Sequence, residues 1–296
     1  MLAKRKPMSD KVFDVINFFV LAVLLLIVAY PLYFIIIASV SDPAAVARGQ
    51  VVLWPKDISF DGYKEIIKNK DLWIGYKNTI FYTVVGTILN VSITMMAAYV
   101  LSRKDLPGRN FFTFLFTFTM FFSGGLIPTY LTMKRLNLLD TYAILILMGA
   151  ISTYNLIIAR TFIQSNIPNE LFEAASVDGC SDFRYFFSIV LPLSKAIIAV
   201  LVVYYAVGHW NEYFNGLIYV SDKMKRPLQV FLQEILLQSS YTSELSMASD
   251  NASQSIMVAE SMKYGVIIVS SLPVMVLYPF MQKYFMKGVM IGSVKG

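Results

Sequence analysis

The chain has 296 residues, 57% of them hydrophobic and only 15% charged, with a formal net charge of +6. Soluble domains carry about 45–50% apolar and about 25% charged residues, so the composition points to an integral membrane protein. A single Cys, Cys180, and a single His, His209, exclude a disulfide framework and a metal site built on His/Cys clusters. No G-x-x-x-x-G-K-[ST] stretch is present to cradle ATP phosphates.

Crossing hydrocarbon takes about 20 residues of apolar helix. Five uncharged runs serve: residues 15–41, 78–102, 110–133, 141–159 and 264–282. A sixth, 186–210, carries only Lys195, close enough to its start to snorkel to the interface. Lys4, Arg5 and Lys6 precede the first run as in a signal peptide. The run is too long for a signal h-region and no small-x-small cleavage site follows, so it reads as a retained helix with Pro31 in its outer half.

The resulting order is an N-terminal segment 1–14, helix 15–41, an outer loop 42–77, a five-helix region 78–282 and a tail 283–296. Placing both termini inside gives inner segments with 13 Lys/Arg and 7 Asp/Glu, against 12 and 12 outside. The short segments decide, because long loops translocate largely regardless of charge. Lys4, Arg5, Lys6 and Lys11 precede the first helix, and Arg103, Lys104 and Arg109 join the second and third. Trp54 and Trp73 in the first outer loop suit interface anchors. The second long outer loop, 211–263, has a Ser-rich middle, 237–255, that reads either as disorder or as a reaching loop. No basic patch is interleaved with exposed aromatics, which argues against nucleic acid.

The inner segment 160–195 holds the chain's densest polar motif. Pro168 suits a helix first turn, with Ser165 or Asn166 as cap. "NELFEAASV" then reads as a short helix on which Leu171, Ala174 and Ala175 fall at i, i+3 and i+4. Gly179 suits the left-handed position that ends it, and Ser181 can cap a second helix with Asp182 in its first turn. The alternative from pattern alone is a re-entrant or amphipathic linker.

The residue identities go further. Glu173-Ala174-Ala175, Asp178-Gly179, Ile189, Leu191 and Pro192 follow E-A-A-x-x-D-G-x9-I-x-L-P. This resembles the EAA loop of binding-protein-dependent ABC importer permeases. "WNEYFNGLIYV" (210–220), "FFSGGLIPTYL" (121–131), "NLLDTYAILIL" (137–147) and the tail "GVMIGSVKG" (288–296) resemble the carbohydrate-type members, especially the smaller permeases of oligosaccharide and polysaccharide importers. The resemblance covers residue 75 to the end.

The resemblance implies an all-α integral membrane fold, the type I ABC importer permease fold, with six transmembrane helices and a cytoplasmic coupling helix in 160–195. It implies a bacterial inner membrane protein surrounded by lipid and paired with a second, homologous permease. Two cytoplasmic ATPases would bind ATP and Mg, an external solute-binding protein would deliver substrate, and this chain would hold no cofactor, metal or catalytic residue. The substrate class would be oligo- or polysaccharide fragments, with alginate or another acidic polysaccharide as the specific expectation. Glu173, Ala174, Ala175, Asp178, Gly179, Leu191 and Pro192 would couple the ATPases to the spans. Otherwise Glu173 is a solvated helix-face charge. The tail would reach between the ATPases, its alternative being an unstructured end.

The pathway is less determined. Sugar sites use aromatic faces with polar edges, and Tyr154, Asn155, Tyr204, Tyr205, His209 and Asn211 lie in or beside the fourth and fifth spans. Each equally suits helix packing. A secondary transporter or a permease for another small solute is the alternative function. A secondary transporter would need ionisable groups within the spans, and five of the six have none.

Overall fold

The computed structural model describes residues 8–246, 262–276 and 279. Fifteen α-helices and no strand occur among them: α1 Met8–Ser39, α2 Pro43–Ala47, α3 Asp61–Lys68, α4 Lys70–Ser102, α5 Arg109–Phe121, α6 Leu126–Arg135, α7 Tyr142–Leu147, α8 Thr153–Asn166, α9 Asn169–Val177, α10 Asp182–Tyr185, α11 Leu191–Leu193, α12 Lys195–Trp210, α13 Phe214–Tyr219, α14 Leu228–Ser246 and α15 Met262–Val276. A π-helical turn, Phe186–Val190, joins α10 to α11, and a 3-10 turn spans Lys223–Lys225.

The chain divides into two compact units, residues 1–69 with 234–271 and residues 70–233 with 272–296. In the first, α1 is an apolar rod with almost its whole length exposed. Pro31 lies inside it. Only the C-terminal end packs: Ile37 and Ala38 meet Ala45, Val46 and Val51, with Phe34 edge-on to Tyr264 and the Tyr63 hydroxyl 2.9 Å from Ser39 Oγ.

The second unit is organised on α4. Its buried residues Leu72, Gly75, Asn78, Tyr82, Gly86, Asn90, Met95, Ala98 and Leu101 recur at helical spacing and form one stripe. Against it pack α8 and α12, with Leu156, Ala159, Ile163, Leu201 and Tyr205 at the contact. A second cluster forms where Tyr82 meets Ile144, Leu145, Tyr219 and Val220.

The spans differ in shape from uniform rods. Among the described residues two helices, α1 and α4, are each long and apolar enough to cross a membrane, or up to four if each of two bent pairs is one span. The second span starts earlier than expected, at Lys70. The third breaks at 122–125, with 115° between α5 and α6. The fourth is split into α7 and α8 around residues 148–152. The fifth turns by 82° at Ser194, so α10–α11 and α12 are not one straight rod. Pro192 and the π turn supply the irregularity, because each removes a regular i to i−4 bond. The segment read as a second outer loop is largely helical where it is described: α13, the 3-10 turn and α14 occupy 214–246, so disorder does not describe 237–246. Residues 247–255 and the tail with Gly288, Gly292 and Gly296 lie outside the described residues, as does the end of the sixth span.

Buried backbone outside regular helix needs hydrogen-bond partners. Polar side chains on α4 provide them. Asn78 Nδ2 donates to the carbonyls of Met224 and Arg226 at 2.8 and 3.0 Å, and the Tyr82 hydroxyl donates to that of Lys225 at 2.7 Å. Thr79 Oγ1 accepts from the Leu228 amide at 2.8 Å. Further along, Thr94 Oγ1 lies 2.7 Å from the Tyr205 hydroxyl, which accepts from the Ser152 amide at 3.1 Å. The helix thereby ties down both the 222–228 turn and the break before α8.

Candidate functional site

The loop 160–195 folds as a helix, a tight turn and a second helix. Pro168 does not enter the first turn of α9. It stands just before it, extended at φ −61° and ψ 143°, and ends α8 instead. Asn166 is no cap either: it closes α8 and donates to the Phe162 carbonyl at 2.9 Å. The other end of α9 follows the expected chemistry. Gly179 has φ 74°, its amide donates to Ser176 O at 3.1 Å, and the Cys180 amide donates back to Ala175 O at 2.9 Å. Ser181 caps α10, accepting from the Arg184 amide at 3.4 Å, with Asp182 in the first turn.

α9 is two-faced, though not as its sequence spacing indicated. Phe172 and Ala175 are half-buried and pack on the core of the second unit. Glu170, Leu171, Glu173, Ala174 and Val177 face outward, so the two alanines are not equivalent. Glu173 accepts from Asn169 Nδ2 at 2.7 Å and is otherwise presented to solvent. Asp178 is exposed at the C-cap, Leu191 is half-buried against the core, and Pro192 is exposed at the start of the bend.

Phe172 is the fixed point of this helix. The Arg103 guanidinium lies 3.1 Å from its ring centroid, and Tyr185 meets it edge-on at 5.2 Å and 87°. Tyr185 and Phe186 in turn flank Tyr99 of α4. Arg103 is held by a two-pronged bond to Asp105, Nε to Oδ1 at 2.9 Å and Nη2 to Oδ2 at 2.7 Å. Those bonds hold the Asp105 carboxyl below its ordinary range. Phe172 did not stand out in the sequence, and Arg103 stood out only as a charge bearing on orientation. An aromatic residue beside an exposed glutamate, on a helix with one face to bury, was the available signal.

The six pathway candidates separate cleanly. Tyr205 and His209 are buried and bound to α4, His209 Nε2 lying 3.0 Å from Asn90 Nδ2. Asn155 is buried behind the Ser152 cap. Asn211 is exposed but turned back onto Val207 O at 2.9 Å. Tyr154 and Tyr204 are exposed and lie together, ring centroids 6.4 Å apart. Among the described residues no group of His, Cys, Asp and Glu is placed to hold a metal.

The sequence model described as "Binding-protein-dependent transport system inner membrane component" matches residues 1–291. The polygalacturonan/rhamnogalacturonan transport system permease YtcP of Bacillus subtilis (strain 168) is 41% identical over 293 residues, 98% of this chain and 100% of the relative. Protein LplC of the same organism is 41% identical over 288 residues, 97% of this chain and 96% of LplC. Among solved structures, a chain of a bacterial ABC transporter involved in the import of the acidic polysaccharide alginate superposes with a TM-score of 0.85 at 34% identity, covering 96% of this chain and 100% of that one. An all-helical fold, long apolar helices and a match across nearly the full length agree: the chain belongs to the family of inner membrane permease components of binding-protein-dependent ABC transport systems.

Proposed function

We propose that this chain is one of two permeases of an ATP-driven importer of oligo- or polysaccharide fragments, with acidic polysaccharides of the polygalacturonan or alginate kind as the substrate class. Its relatives support the class: a 41% identical polygalacturonan/rhamnogalacturonan permease and a 34% identical chain from an alginate importer. α9 is its coupling helix, docked on a cytoplasmic ATPase, and both termini lie inside with six crossings.

The observation that carries this reading is the division of α9 into an exposed face bearing Glu173 and Ala174 and a packed face bearing Phe172 and Ala175. A partner can reach the first, and the second passes displacement to α4 and α8. Glu173 supplies a charge-assisted bond to a basic group of the ATPase, worth about 1.5–3 kcal/mol. Ala174 leaves room for close approach. The bend at Ser194 means that a push on α9 and α10 reaches α12 through an angle rather than along one rod.

The test is reconstitution with partner permease, ATPases and binding protein in proteoliposomes. Uptake of oligogalacturonate and alginate oligomers is measured beside ATP hydrolysis. Glu173→Arg is expected to abolish uptake while the chain still inserts. Normal uptake by that variant, at normal expression, overturns the coupling assignment.

A further inference from the structure

A cavity of about 370 Å³ lies beside α9, with Asn169 and Phe172 in its wall. Its wall includes Tyr99, Arg103, Lys104, Arg109, Gln164 and Asn169. That volume is in the range of small-ligand sites. Three cations line it and no carboxylate does. Asp105 neutralises Arg103 from outside the wall, but Lys104 and Arg109 have no ion-pair partner among the described residues. Tyr99 is 8% exposed, and its hydroxyl is buried without a hydrogen-bond partner. A buried donor left unmade costs about 1–3 kcal/mol, so a small relaxation of the wall that brings it an acceptor is favoured. Gln164 Nε2 and Asn169 Nδ2 already donate to Ser102 O and Glu173 Oε1, and each keeps a second N–H at the rim.

We propose that this cavity binds a phosphate group. Cations in excess, a buried hydroxyl donor and amide donors around one recess match the tetrahedral oxygens of a phosphate ester. A sugar hydroxyl would not need two uncompensated cations. The site is walled by the loop after α4 on one side and by Asn169 and Phe172 on the other. An occupant therefore bridges the loop after α4 to α9 and braces the helix. Its source is either the headgroup of an anionic phospholipid or a soluble phosphate compound.

The test uses the full chain in nanodiscs of phosphatidylcholine, with and without phosphatidylglycerol. Native mass spectrometry counts retained phosphatidylglycerol before and after phosphate is added, and phosphorus NMR follows inorganic phosphate titrated into both kinds of disc. Wild type is expected to retain phosphatidylglycerol or to bind phosphate saturably. Lys104→Gln with Arg109→Gln is expected to weaken binding roughly tenfold, and Tyr99→Phe by about threefold. Both cations are free of ion pairs, so the double variant should fold as wild type does, as thermal unfolding will confirm. Retention of phosphatidylglycerol without phosphate binding assigns the site to lipid. Phosphate binding that displaces phosphatidylglycerol assigns it to a soluble ligand. No binding of either, or wild-type affinity in either variant, overturns the proposal.

Discussion

The Arg103 guanidinium lies over the Phe172 ring, 3.1 Å from its centroid, and this contact ties the loop after α4 to the buried side of α9. Arg103 cannot drift, because both prongs of its fork are fixed on Asp105. Phe172 is held from another side by Tyr185. The exposed face of α9 thus rests on a clamp that contains none of the motif residues.

Phe172→Ala should loosen the clamp. A fully buried Phe→Ala change costs about 3–5 kcal/mol. The ring here is half-buried, so a loss of about 2–3 kcal/mol is expected, of which the cation–π part is about 0.5–2 kcal/mol. Phe172→Leu keeps most of the volume and should recover more than half of the stability. Thermal unfolding of the purified chain reads the first effect, and uptake by the reconstituted transporter reads its consequence. A wild-type unfolding midpoint in Phe172→Ala would show that α9 is held by something else.

Glu173 and Gly179 should fail in different ways. Glu173→Gln removes an exposed charge bonded only to Asn169, so stability should stay within about 0.5 kcal/mol. Docking of the ATPases should weaken about tenfold or more. Gly179→Ala meets no atom within 4 Å. Its penalty is the left-handed backbone at φ 74°, about 1–2 kcal/mol. Gly179→Asn should be milder, because Asn tolerates that conformation. Pull-down of the ATPases and thermal unfolding, run on all three variants, separate contact from conformation.

The same contrast shows what the sequence made readable. The turn at Gly179 and the cap at Ser181 follow from chemistry within a few residues, and both were legible. The bends at 122–125 and Ser194 were not, because an uncharged run gives length but no direction. The polar stripe on α4 was present as Asn78, Thr79, Thr87, Asn90 and Thr94 at helical spacing, yet its partners sit as much as 149 residues away along the chain. Residue type alone also merged two populations in the pathway, since a buried Tyr205 and an exposed Tyr204 look alike in a sequence.

Gly86→Ala should destabilise the chain through His209. A Cβ at Gly86 would land on the His209 imidazole. The ring is buried and bonded to Asn90, so it cannot simply swing away. Overpacking of this kind costs about 1–3 kcal/mol. His209→Ala should cost stability alone, by opening a cavity and orphaning Asn90, but should relieve Gly86→Ala. The double variant is therefore expected to lose less than the sum of the two singles, with a coupling of about 0.5–3 kcal/mol. Additive losses would mean that glycine serves the helix itself and not the close approach.

Tyr204 and Tyr205 offer the sharpest separation of transport from packing. Tyr204 is exposed and lies against Tyr154, forming a two-ring surface that a sugar ring can stack on. Tyr205 is buried, and its hydroxyl joins Thr94 to the Ser152 amide at the break before α8. Tyr204→Ala should raise the KM for oligosaccharide uptake several-fold, whatever stability it costs. Tyr205→Phe keeps the ring and deletes the junction, leaving the Ser152 amide and the Thr94 hydroxyl without that partner. A loss of about 1–3 kcal/mol in stability is expected, with KM unchanged. If Tyr204→Ala leaves KM unchanged in the intact transporter, the aromatic pair is a lipid-facing or subunit-facing surface, and substrate contacts must come from the partner permease.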